Sequence, residues 1–217
     1  KETQADVEVV CNLVYSKASD QPCRWVLVVD QDSLVQKVED LEGKVISTEL
    51  VGYTRRYLEE RGINATVEFS WGATEAKVVE GLADAAVEIT ETGTTIKAHG
   101  LRIVCDLLHT HTVLVANKDA LADPWKKVKI DQIALMLQSA LAARHRVLLK
   151  MNAPTEALDE VTKLLPSLHA PTINHLTDSA WVAIETVVER REVRDLIPKL
   201  RTAGAEGILE LDLKNVS

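Results

Sequence analysis

Asp84–Thr95 reads Asp-Ala-Ala-Val-Glu-Ile-Thr-Glu-Thr-Gly-Thr-Thr, and Ile96-Lys97-Ala98 behind it is suited to opening a helix. A mostly apolar run of β type, a hydroxyl-rich turn around one glycine and a helix start form the strand-turn-helix step of an α/β fold. Side chains alternate faces on a strand, so Asp84 and Glu88 are expected to point the same way. There they can accept hydrogen bonds from vicinal ribose hydroxyls or approach a bound Mg²⁺. Thr92–Thr95 offers hydroxyls and backbone N–H groups to a phosphate, and Gly93 allows close backbone approach or positive φ. The same Thr-Gly-Thr is also an ordinary strand-to-helix turn.

Upstream, Ala5–Tyr15 reads as a strand, and Cys23–Asp30 as a buried one whose apolar run suits a sheet covered on both faces. Ser33 is placed to cap a short helix through Glu39, and Leu41–Thr48 turns into a further strand. Tyr53–Arg61 fits a helix stopped by Gly62, and Ala65–Ser70 a strand of period two. Trp71-Gly72-Ala73-Thr74-Glu75 is a strand-glycine-helix turn leading into a helix over Thr74–Gly81. Downstream, Leu101–Leu108 and Thr112–Ala116 read as strands. Pro124–Arg144 is the longest helical stretch, with Ile130, Ile133, Ala134, Leu137, Ala140 and Leu141 at helical spacing. From Val147 onward strand Val147–Met151, helix Thr155–Leu165, a strand near Thr172, strand Trp181–Val188, helix Glu192–Ala203 and strand Gly207–Leu213 spell βαββαβ, a ferredoxin-like module.

The 217 residues, 46% hydrophobic and 27% charged, suit a soluble protein of two compact units. A net charge of −8 argues against a generic nucleic-acid surface, and no apolar stretch approaches membrane-spanning length. Cys11, Cys23 and Cys105 lie scattered, as expected of a reducing compartment and not of a thiolate metal cluster. His109 and His111 share a parity that can ligate zinc, but no neighbouring set completes such a site. Trp25, Trp71, Trp125 and Trp181 are expected to anchor packing. Lys1 is not a methionine and no signal peptide follows, so the chain is expected to start in mid-protein.

LEGKVIST (41–48), TRRY (54–57), WGATE (71–75), GLADA (81–85), ETGTT (91–95), MNAP (151–154), SLHAPT (167–172), WVA (181–183) and GAEGIL (204–209), in this order, resemble the long form of ATP phosphoribosyltransferase of histidine biosynthesis. The resemblance covers essentially the whole chain, although family members begin with several tens of further residues. It implies a two-lobed, periplasmic-binding-protein-like catalytic region plus a C-terminal ferredoxin-like regulatory domain. Residues 1–24 and 115–145 would belong to lobe I, 25–114 to lobe II with its phosphoribosyl loop, and 146–217 to the regulatory domain. The implied reaction moves a phosphoribosyl group from 5-phosphoribosyl 1-diphosphate to N1 of ATP with Mg²⁺ present, and releases diphosphate in the cytoplasm.

Carried over by resemblance, Asp84 and Glu88 bind ribose hydroxyls or orient the Mg²⁺–diphosphate, and Glu91, Thr92, Gly93, Thr94 and Thr95 wrap the 5-phosphate. Arg55, Arg56, Gly72 and Glu75 are nucleotide-binding candidates; for the two adjacent arginines a solvated helix face is the plainer reading. In the C-terminal module Asn152, Leu168, Thr172 and Gly207 would contact histidine, the feedback inhibitor. Other members can carry an aspartate at the place of Asn152, and a neutral Asn152 leaves the ligand's amine without a charge partner. The module also implies a homodimer or homohexamer with no separate regulatory subunit. The competing expectation is a two-lobed protein that closes on a small ligand without chemistry; a third is a fragment that binds without turnover.

Overall fold

The computed structural model describes residues 1–15, 22–166 and 170–216. Its first compact unit, Lys1–Lys127, is organised around the predicted buried strand. The elements in order are β1 (Glu8–Leu13), β2 (Cys23–Asp30), β3 (Val45–Thr48), α1 (Val51–Glu59), β4 (Thr66–Phe69), α2 (Thr74–Val79), β5 (Ala85–Thr90), α3 (Thr94–Ala98), β6 (Leu101–Thr110), β7 (Thr112–Ala116), α4 (Lys118–Ala122) and α5 (Pro124–Arg144). Five strands form one sheet in the order β4-β3-β5-β2-β6. β3, β4 and β5 run parallel, and β2 pairs antiparallel with both β5 and β6. β2 is covered on both faces because its alternate residues enter two cores. Leu27 and Val29 pack with Leu41, Ile46, Leu58 and Val87, while Val26 and Val28 pack with Val78, Ala86 and Ile96. β1 and β7 make a separate two-stranded antiparallel sheet with an irregularity between Val9 and Cys11.

Three expectations change here. No helix runs from Ser33 to Glu39; a short 3₁₀ turn spans Val38–Leu41 instead. Arg102 explains this, since its Nη2 donates to the carbonyls of Ser33 (2.9 Å) and Val35 (2.6 Å), acceptors that a helix would use internally. In α5 the helix is where the periodicity put it, but not the buried stripe. Ala134, Ser139 and Ala143 are buried, whereas Ile133, Leu135, Met136 and Leu137 are exposed. Successive apolar residues 100° apart cannot share one face. Finally, Trp71 and Trp125 are 83% and 69% exposed and anchor no packing, while Trp25 does pack against the Leu27 core.

The second unit, Val128–Ser217, contains β8 (Arg146–Pro154), a 3₁₀ turn at Thr155–Ala157, α6 (Leu158–Leu164), β9 (Thr172–His175), β10 (Trp181–Glu189), α7 (Arg190–Thr202) and β11 (Glu206–Asp212). The division from the first unit falls within α5. The strand order β11-β8-β10-β9, antiparallel throughout, is the ferredoxin-like arrangement. Alternation does the work: Val147, Leu149, Met151 and Ala153 of β8 and Val182, Ile184 and Val188 of β10 face Val161 of α6 and Val193, Leu196 and Leu200 of α7. The opposite face of this sheet carries the remaining residues of each strand.

Candidate active site

Because β3, β4 and β5 are parallel, Thr48, Phe69 and Thr90 end on one edge, and the turns behind them lead into α1, α2 and α3. In open α/β sheets this carboxyl edge is where ligands bind. The first turn is fastened by Thr48, whose hydroxyl donates to the Val87 carbonyl (2.8 Å) and accepts from Leu50 N–H (3.0 Å). The amide end of α1 is already taken. The Glu2 carboxylate accepts from Gly52 N–H and Tyr53 N–H, each at 2.6 Å, and Arg56 Nη2 donates to the Lys1 carbonyl (2.6 Å). A Cβ on Gly52 would stand 3.0 Å from Glu2 Oε1, so glycine makes room for this cap.

At the second turn Gly72 (φ +72) and Ala73 (φ +50) are both left-handed, and buried Thr74 starts α2 with Glu75 behind it. The Thr74 hydroxyl donates to Ser70 Oγ at 3.2 Å and lies beside the Glu88 carboxyl of β5. Glu75 Oε1 lies 3.8 Å from His99 Nδ1 at the end of α3. Burial pushes the Glu88 carboxyl above its ordinary range, the Thr74 hydroxyl opposes the shift, and the charges of Glu75 and Glu49 add to it. Glu88 is thereby joined to the second turn, with Glu49 and Glu75 as its acidic neighbours.

The third turn is the hydroxyl-rich one. Gly93 has φ +75, and its N–H donates to Thr90 Oγ1 at 2.9 Å, while the Thr92 and Thr94 hydroxyls pair at 2.8 Å. Thr92, Thr94 and Thr95 are exposed, Glu91 is half-buried, and Gly93 is buried with Ile103 Cδ1 3.2 Å from where a Cβ would sit. Thr94 N–H donates to Thr92 Oγ1 at 3.4 Å, and helix geometry leaves the next first-turn amides of α3, those of Thr95 and Ile96, without intrahelical partners at the same edge.

Asp84 has partners of its own. Asp84 precedes β5, at the far end of that strand from the Glu91–Thr95 turn, roughly 20 Å away at ordinary strand rise. Its carboxylate accepts from Val45 N–H (2.9 Å) and Lys44 Nζ (3.1 Å), and these bonds, the backbone one foremost, hold it below the usual carboxylate range. Asp84 stands one residue before the strand, and its N–H donates to the Val45 carbonyl at 2.9 Å. Arg55 Nη2 donates to the Val67 carbonyl (2.8 Å), bridging α1 to β4, and Arg56 holds residues 1 and 2, so both arginines already bind backbone carbonyls. Gly72 and Glu75 do lie at the carboxyl edge. His109 Nε2 stands 3.4 Å from Asp106 Oδ2, but among the described residues no three His, Cys, Asp or Glu side chains gather as a metal site.

In the second unit Asn152 is exposed on β8, opposite Ala183 of β10 and Glu206 of β11. Gly207, φ +57, lies in the irregularity of β11 beside it. Thr172 pairs with Glu185, two residues along β10 from Ala183, so Thr172 and Asn152 share the sheet face turned away from α6 and α7. Leu168 lies outside the described residues. Sequence reading missed Glu2, Glu49 and His99 as neighbours of these turns. A signal for Glu49 was present, since it follows a strand of the same strand-turn-helix grammar.

Known proteins resemble this chain along nearly its whole length. The family described as HisG, ATP phosphoribosyltransferase, matches residues 1–139, and that described as the HisG C-terminal domain matches residues 143–215. The chain is 61% identical over 216 residues to ATP phosphoribosyltransferase of Geotalea uraniireducens and 60% identical to ATP phosphoribosyltransferase 1 of Geobacter sulfurreducens. Both alignments span 100% of this chain and 74% of the relative. Among solved structures, the ATP phosphoribosyl transferase (HisG:HisZ) complex from Thermotoga maritima superposes with a TM-score of 0.53 at 25% identity, over 63% of each chain.

Proposed function

Because this chain belongs to the ATP phosphoribosyltransferase family, we propose that the turns at the carboxyl edge of its five-stranded sheet form the phosphoribosyl subsite of that enzyme. The family's reaction transfers a phosphoribosyl group from 5-phosphoribosyl 1-diphosphate to N1 of ATP, the first step of histidine biosynthesis. The observation that carries the assignment is the contrast between two helix ends on one edge. Glu2 closes α1, whereas the Glu91–Thr95 turn presents exposed threonines and the first-turn amides of α3 around left-handed Gly93. The 5-phosphate binds there. A reading as a binding protein without catalysis loses ground to relatives about 60% identical that are named as transferases.

Cleavage of the C1–O bond builds positive charge on the ribose and negative charge on the departing diphosphate, so the protein's tasks are positioning and electrostatics. Glu88, on β5 two residues before the end of the strand that leads into the turn and beside Thr74 of the neighbouring turn, receives the ribose hydroxyls. Mg²⁺ supplies charge neutralisation of the diphosphate. The residues fit an ion that arrives on the substrate, since Mg²⁺ is commonly held by one or two carboxylates and phosphate oxygens. Glu88 is the carboxylate placed for that, and Asp84 is not. Gly72 and Glu75 border the ATP side, and Arg55 and Arg56 serve the scaffold.

The second unit is the regulatory domain, residues 146–217, with 25–114 as lobe II and 1–24 with 115–145 as part of lobe I. Histidine binds on the open sheet face at Asn152, Thr172 and Gly207, and the chain assembles with itself in the cytoplasm. The matched C-terminal domain supports regulation without a separate subunit. No helix among the described residues is long and apolar enough to cross a membrane. The test is diphosphate release by the chain supplied with 5-phosphoribosyl 1-diphosphate, Mg²⁺ and ATP. Release that requires both substrates is the expected result; release indifferent to ATP contradicts the assignment.

A further inference from the structure

We propose that Trp71 is the stacking platform for the adenine ring of ATP, a role that rests on the phosphoribosyl reading of the Glu91–Thr95 turn. Trp71 stands two residues beyond the end of β4 on the carboxyl edge and is 83% exposed. Exposure alone is not the argument, because Trp125 is exposed too, on α5 and not on a turn of this edge. Position is.

The two residues after Trp71 are left-handed, and Ala73 lacks the freedom glycine has there, so the turn holds backbone strain of the kind that clusters at ligand-binding segments. Immediately beyond, Thr74 lies beside Glu88 of β5, and Glu75 approaches His99, the residue that ends the helix following the phosphate turn. The indole is therefore three and four residues along the chain from the groups that approach β5 and α3. β4 and β5 flank β3, which sets them about 10 Å apart, a span that a ribose and a purine bridge together. With the 5-phosphate on the Glu91–Thr95 turn and the ribose at Glu88, a purine presenting N1 toward C1 comes within reach of the Trp71 turn. An indole offers it a flat apolar face that needs no hydrogen-bond readout.

The experiment uses the full chain with steady-state kinetics in both substrates, thermal unfolding, sedimentation, and the quenching of tryptophan emission by ATP. Base–aromatic stacking energies predict that Trp71→Ala raises the KM for ATP roughly ten- to hundredfold. Trp71→Phe, which keeps a ring, restores most of that loss. The KM for 5-phosphoribosyl 1-diphosphate and the unfolding midpoint stay unchanged in both. ATP quenches the parent's emission and fails to quench that of Trp71→Phe. The proposal is overturned, with the family reading intact, if Trp71→Ala turns over with the parent's KM for ATP. It is equally overturned if both substrates weaken together, or if only the oligomeric state changes, which would assign the indole to an interface. Should the parent neither release diphosphate nor bind 5-phosphoribosyl 1-diphosphate, the phosphoribosyl reading fails; should it bind without turnover, quenching by ATP decides for or against the indole.

Discussion

Gly93→Ala separates backbone geometry from mere stability at the phosphate turn. Gly93 sits at φ +75, where a Cβ strains the chain, and that Cβ would approach Ile103 Cδ1 to 3.2 Å. The left-handed conformation costs alanine about 1 kcal/mol relative to glycine, and displacing one methyl by a few tenths of an ångström brings the total to about 1–2 kcal/mol. The chain can relieve the strain by leaving the left-handed region, which re-aims the amides of Thr94 and Thr95. Gly81→Ala is the control. Gly81 has φ +71 with nothing within 4 Å of its Cβ position, and it lies beyond α2, at the opposite end of β5 from the turn. Both variants are expected to lose about 1 kcal/mol or slightly more in denaturant unfolding. Only Gly93→Ala weakens 5-phosphoribosyl 1-diphosphate by about tenfold or more, the worth of one hydrogen bond to a charged group. Equal affinity in the two variants, with equal stability loss, refutes the reasoning.

Three other perturbations read individual side chains. Burial raises the Glu88 pKa above its unfolded value of 4.5, so its contribution to stability is present below that value and lost as pH rises through the folded one. Glu88→Gln should therefore gain stability over the parent from acid to neutral pH while losing turnover; a pH-independent difference in unfolding midpoint contradicts this. Asp84 has the opposite sign, since its pKa is lowered from 3.8, and its contribution is present above that value and lost as pH falls through the folded one. With the Asp84 side chain 37% exposed, Asp84→Asn costs about 1 kcal/mol at neutral pH and leaves substrate affinity alone. Weakened substrate binding would return Asp84 to the site. Glu2→Ala removes the cap of α1 and should cost about 1–2 kcal/mol in chemical denaturation, whereas an unchanged midpoint would mean the cap contributes nothing.

How much of this was legible depended on whether the deciding contacts were local. Cys23–Asp30 and Pro124–Arg144 coincide with β2 and α5 because run length and flanking residues settle them within the segment. The βαββαβ unit was readable because alternation along β8 and β10 is unbroken. The strand-turn-helix step at Glu91–Thr95 was legible too, as a glycine between a strand and a helix. Misreadings arose where a distant partner decides. Arg102, some 70 residues away, takes the carbonyls that a Ser33 helix needed. Glu2 reaches across 50 residues to cap α1. The partners of Asp84, Lys44 and Val45, lie some 40 residues away and leave no mark in its own segment. The exposed indole of Trp71 follows from the end of an edge strand, and composition holds no trace of that.

The most direct test of the central claim is isothermal titration of the chain with 5-phosphoribosyl 1-diphosphate and Mg²⁺, alongside the Thr94→Ala/Thr95→Ala double variant. The account predicts that the parent binds, that the double variant loses binding, and that both unfold at the same midpoint. A double variant that binds as tightly as the parent would place the phosphoribosyl group elsewhere and contradict the account.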